Sequence, residues 1–71
     1  MIKSFDYSRA IEYLRVEVGS INRLSEALNI KSSRISAWKH NRSQPVGDEV
    51  LLLISESYER LGDEQFKECL K

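Results

Sequence analysis

Residues 25–38 read SEALNIKSSRISAW. The second half of this stretch has only two large apolar residues, Ile35 and Trp38. They lie three apart and form one narrow helical stripe. A helix over 32–40 held by that stripe alone leaves the rest of its surface exposed. The first half ends a different helix, in which Ser20 is the N-cap and Ile21, Leu24 and Leu28 face the core beside the small Ala27. Asn29 separates the two: after Gly it is among the residues that best tolerate positive φ, so a left-handed turn is expected there. Ile30, apolar at a corner, is expected to tuck inward.

Outward from this pair, the same punctuation divides the chain into about five short helices and no strand. Tyr7, Ala10, Ile11, Leu14 and Val18 recur at spacings of three and four, predicting a helix over Ser8–Val18 capped by Asp6 or Ser8 and stopped by Gly19. After the loop HNRSQPVG, Pro45 suits a helix start, because its missing N–H is not needed there. A fourth helix is expected over Val46–Arg60. Its VLLLI run (50–54) points all round the axis, so part of Leu51, Leu52 and Leu53 is expected to be exposed unless a partner covers it. Gly62 ends this helix and Asp63 caps a short fifth one, with Phe66, Cys69 and Leu70 as its apolar edge. The fold class is all-α, a compact helix bundle forming a single domain over residues 1–71.

At 71 residues the chain buries little, and association with a second copy is a natural remedy. No apolar run reaches the length of a membrane helix, and MIKSFDYSRA lacks the continuous apolar core of a secretory signal. Cys69 is alone and closes no internal disulfide, in keeping with a reducing cytoplasm. Net charge is zero but unevenly spread: residues 1–46 hold eight Lys or Arg against four Asp or Glu, whereas residues 47–71 hold three against seven. Within 23–42, Arg23, Lys31, Arg34, Lys39 and Arg42 face only Glu26. Such asymmetry is a hint of nucleic-acid binding by the basic half.

Enzyme chemistry finds no support. With one Cys and one His, no zinc site of ordinary ligand count can form, and there is no Gly-rich phosphate loop. Cys69 reads as a small hydrophobe on a helix edge and His40 as a surface residue. The carboxylates of the C-terminal half show no catalytic pairing. Nothing indicates a cofactor, metal or small-molecule ligand.

Two short helices crossing at a tight turn let the second stand proud and enter the DNA major groove. That geometry needs a small residue at the crossing, positive φ in the turn, an apolar residue after it and two apolar anchors beyond. Counted from Ile21 as the first position, Ser25 is the fifth, Asn29 the ninth, Ile30 the tenth, Ile35 the fifteenth and Trp38 the eighteenth. ALNIKSSRISAWK thereby resembles the helix-turn-helix of phage Cro-type repressors, the lambda-repressor/Cro-like family, with Ala27, Leu28, Ile30, Ile35, Ser36 and Trp38 matching its pattern. The resemblance spans roughly residues 11–42. Three positions depart from it. Ile21 stands where the family usually has a phosphate-touching Gln, Ser25 where it has Ala, and Asn29 where it has Gly, the last at a cost of about 1 kcal/mol.

The resemblance implies a sequence-specific regulator in a bacterial cell, most simply a phage or prophage repressor. It would bind a double-stranded, roughly palindromic operator as a homodimer. Base-edge contacts then fall to Lys31, Ser32, Ser33, Arg34, Ser36 and Ala37, with Lys31 and Arg34 long enough to reach guanine. Backbone contacts fall to Asn22, Arg23, Lys39, His40, Asn41 and Arg42. About five cations per copy on phosphates predict a log-affinity slope of about −9 against log salt for a dimer. Residues 46–71 are the expected dimerisation region, through Leu52, Leu53, Tyr58, Leu61, Phe66 and Leu70. The competing reading is a protein-interaction module, an antirepressor or antitoxin component, that docks through the VLLLI helix and has only incidental DNA affinity.

Overall fold

Five helices follow one another in the computed structural model, which describes residues 5–70: α1 (Tyr7–Val18), α2 (Ile21–Leu28), α3 (Ser32–Lys39), α4 (Asp48–Arg60) and α5 (Asp63–Cys69). The protein is an all-α bundle. Residues 1–4 and 71, included in the expected domain, lie outside the described range. α1 packs against all four other helices, and α2 packs against α3. Ala10, Ile11 and Leu14 of α1 are buried and meet Leu24, Leu28, Ile35, Trp38 and Leu53 in one apolar cluster. Burial of these side chains is the main stabilising term for so small a domain. No described helix is long and apolar enough to cross a membrane.

Local chemistry explains most helix ends. The Asp6 side chain accepts from the Arg9 backbone N–H at 3.1 Å, and Ser20 Oγ accepts from that of Arg23 at 3.1 Å. Both are side-chain caps satisfying donors that have no partner within the helix. At the far end of α2, Asn29 adopts φ 58°, ψ 43°. Its N–H donates to Glu26 O at 3.3 Å while Ile30 N–H donates to Ser25 O at 3.1 Å. This pair of bonds is the Schellman arrangement, with Asn in the place Gly usually takes. Ser25, expected only to be small, does more: its hydroxyl donates to the Ile30 carbonyl and ties the turn from inside.

The α3 end repeats the device, which the sequence pattern did not reveal. Asn41 has φ 59°, and Asn41 N–H and Arg42 N–H donate to Trp38 O at 3.2 Å and Ala37 O at 2.8 Å. A third anchor is the Ser8 hydroxyl, which donates to Lys39 O at 2.5 Å and fastens the end of α3 to α1.

Several expectations need correction. α4 begins at Asp48 rather than Val46, because Gly47 turns the chain with φ 60°, ψ −128°, a conformation open chiefly to glycine. Pro45 is buried ahead of that turn and Val46 is exposed. Gly62, not Asp63, is the N-cap of α5, and α1 and α3 run Tyr7–Val18 and Ser32–Lys39 rather than from Ser8 and to His40. Ala27 is exposed, since the α2 stripe through Leu24 and Leu28 already fills the space against α1.

The expected dimer surface also changes. Leu53 and Leu61 are core residues, 0% and 6% exposed, and cannot meet a partner. Phe66 is half-buried in an aromatic group, with ring centroids 6.0 Å from Phe5 and 5.4 Å from Tyr58. An isolated antiparallel bridge pairs Phe5 with Leu70, and Asp6 N–H donates to Cys69 O at 2.6 Å. These contacts bring the two ends of the described range together. Leu51, left out of the expected interface, is 68% exposed.

Candidate nucleic-acid interface

The candidate site is the outer side of α3. Ile35 and Trp38 are 0% and 1% exposed and seat the helix on the core. At 100° per residue, the direction opposite that pair belongs to Ser33 and His40, with Ser36 and Ala37 on either side. Ser33 and His40 are exposed, while Ser32, Ser36 and Ala37 are half-buried. The most outward part of α3 is therefore made of small side chains, with His40 at its far end. Lys31 is the exposed N-cap and makes no side-chain capping bond, and Ser32 is the first helical residue rather than the cap.

The long cations at the flanks of α3 are held by neighbouring helices. Arg34 Nε donates to Glu49 Oε2 at 2.7 Å and Arg34 Nη2 to Glu49 Oε1 at 2.7 Å, a bidentate pair with the first turn of α4. The Arg34 guanidinium also lies 5.5 Å from the centre of the Trp38 ring. The pairing with Arg34 holds the Glu49 carboxyl below its ordinary range. On the other flank, Lys39 Nζ sits 3.1 Å from Glu12 Oε1 on α1. Glu12 also accepts from the Arg15 guanidinium; that bond first, and Lys39 second, lower its pKa from 4.5 to about 2.

Arg34, which the resemblance assigns to base edges, and Lys39, which it assigns to the DNA backbone, are therefore each ion-paired within the fold. The first pairing joins residues 15 apart, across the loop between α3 and α4, beyond the reach of a local pattern. No local pattern relates Glu12 to Lys39, whose meeting depends on how α1 and α3 pack.

Among the described residues, Arg23, Lys31 and Arg42 make no ion pair, and all three are exposed. The Arg23 stem folds toward Gly19, where an added Cβ would stand 3.3 Å from Arg23 Cδ. Asn22 and Asn41 are exposed, the latter at the left-handed end of α3. Beside the α2–α3 turn lies an apolar groove of about 560 Å³, lined by Leu28, Ile30, Leu51 and Leu52 with Asp48 and Glu49 at its edge.

Cys69 is buried, and burial, then the nearby Asp6 charge, pushes its thiol up to about 11. It stays protonated at neutral pH and is separated from solvent, unlike the exposed His40.

The chain matches no family model, no curated protein and no solved structure.

Proposed function

We propose that the protein binds double-stranded DNA by laying α3 in the major groove, acting as a homodimeric phage- or prophage-type repressor of transcription in the bacterial cytoplasm. The observation that supports this reading is the uncovered outer side of α3, where Ser33 is exposed and Ser36 and Ala37 flank it on a helix held by two buried anchors. The major groove admits one helix, and small side chains let its backbone come close to base edges. Serine hydroxyls donate or accept, and the Ala37 methyl suits thymine. Arg23 and Arg42 supply charge for phosphates, and Lys31 at the start of α3 is long enough to reach a base edge. One eight-residue helix contacts too little DNA for tight specific binding, so two copies act together on a two-fold operator. Within 46–71 the large apolar side chains exposed to such a partner are Val46, Leu51, Tyr58 and Leu70.

Selection of bound duplexes from a random pool, followed by titration of Ser33→Glu on the selected sequence, tests this. The substitution adds a negative charge facing the duplex on an exposed helix position. Its expected effect is a loss of at least about tenfold in affinity with the melting temperature unchanged. Unaltered affinity, or no enrichment of any sequence, would overturn the reading.

The groove beside Leu51 favours a second reading, in which the chain docks onto another protein through α4 and touches DNA only through its general charge. Salt-sensitive binding to every fragment alike, with no preferred sequence, is the outcome that reading expects.

A further inference from the structure

Arg34 is held by two groups, and its partner carboxylate by a third. Its fork meets both oxygens of Glu49 at 2.7 Å, its guanidinium lies 5.5 Å from the Trp38 ring centre, and Glu49 is itself oriented by the Val46 N–H at 3.3 Å. The Arg34 side chain remains 47% exposed and that of Glu49 26% exposed, so the pair stands at the margin of the α3 face rather than beneath it. A duplex approaching α3 meets there a neutral pair instead of a cation. For Arg34 to reach a phosphate or a guanine edge, two charge-assisted hydrogen bonds must break. An uncovered carboxylate would then remain beside the polyanion. Exchanging one charged acceptor for another under that repulsion gains nothing.

We propose that Glu49 is a positioning residue that withholds Arg34 from DNA, bracing α3 against α4 and leaving sequence reading to the small outer side chains and Lys31. The inference rests on the DNA-binding reading above. It also lowers the count of cations that meet phosphates, so the salt dependence of the native protein is shallower than five contacts per copy would give.

The test compares the native chain, Glu49→Gln, Arg34→Gln and the double variant, each titrated with a mixed-sequence DNA duplex over a series of salt concentrations. All titrations, those of Glu49→Ala included, are run below the lowest melting temperature of the five proteins. Glu49→Gln removes a negative charge and frees Arg34. It is expected to bind tighter by about an order of magnitude per copy at about 0.1 M salt, with a slope steeper by about 0.9 per copy. Glu49→Ala, which shares the lost charge but not the shape, is expected to behave alike and guards against a local distortion by Gln. Arg34→Gln exposes the Glu49 charge and binds more weakly than the native chain. The double variant restores neutrality and should match the native affinity and slope within about twofold. A double variant that binds more weakly, with a slope shallower by about 0.9 per copy, would show Arg34 already on a phosphate and overturn the proposal. So would an unchanged Glu49→Gln and Glu49→Ala. Absence of salt-sensitive binding in the native chain and every variant would instead overturn the DNA-binding reading, and this inference with it.

Discussion

α3 and α4 each leave a face outside the core, and the chemistry of the two faces is opposite. α3 buries Ile35 and Trp38 and presents Ser33, Ser36, Ala37 and His40. α4 buries Leu53 and Ser57 and presents Leu51 and Tyr58, each 68% exposed, with Asp48 and Glu59 beside them. A face of small polar side chains allows another backbone or a base edge to approach closely. A face of leucine, tyrosine and carboxylates repels phosphate and suits a protein surface. The zero net charge of the chain conceals this division. It separates a face of small side chains from an apolar one edged by carboxylates.

The largest test of the comparison is on the buried sides. Trp38→Ala removes the bulkiest fully buried side chain and is expected to cost about 3–5 kcal/mol, enough to remove most of the stability of so small a domain. Leu51→Ala, on the exposed side of α4, is expected to change stability by less than about 0.5 kcal/mol. Urea denaturation of the two variants checks this, and comparable losses would mean that the outer face of α4 is held by contacts within the fold.

A smaller effect concerns the turn that sets α3 apart from α2. Asn29 adopts φ 58° without a side-chain hydrogen bond among the described residues, so Asn29→Gly is expected to raise stability by up to about 1 kcal/mol. A fall in the urea midpoint would show that the amide group contributes something the backbone geometry does not require.

The smallest effect is electrostatic. Glu12 bridges Arg15 on its own helix and Lys39 on α3, and its folded pKa of about 2 lies below the ordinary 4.5. The unfolded chain therefore binds this proton first. The contribution is complete above the ordinary carboxylate value and is lost as pH falls from 4.5 toward about 2. Thermal melts should show a decline across that window which is shallower in Glu12→Gln. Because the Glu12 side chain is 41% exposed, solvent screening keeps the difference small.

Local chemistry of the chain was enough for the helices and most of their ends. Ser20, Asn29 and the spacing of Ile35 and Trp38 act within a turn or two of themselves, and a cap or an apolar stripe needs no distant partner to be recognised. The exposure of Ser33 followed from the same periodicity. The tertiary structure decided the rest, because those features depend on residues brought together from distant positions. Arg34 is held by Glu49, Lys39 by Glu12, and the end of α3 by Ser8; Phe5 joins Leu70 across nearly the whole chain. Packing also chose among the leucines of α4, sending Leu53 to the core and leaving Leu51 outside, a distinction invisible in a run that is apolar on every side. Hydrophobic periodicity reports which faces exist; only the neighbours that a fold supplies determine which of them are covered and which charges remain unpaired.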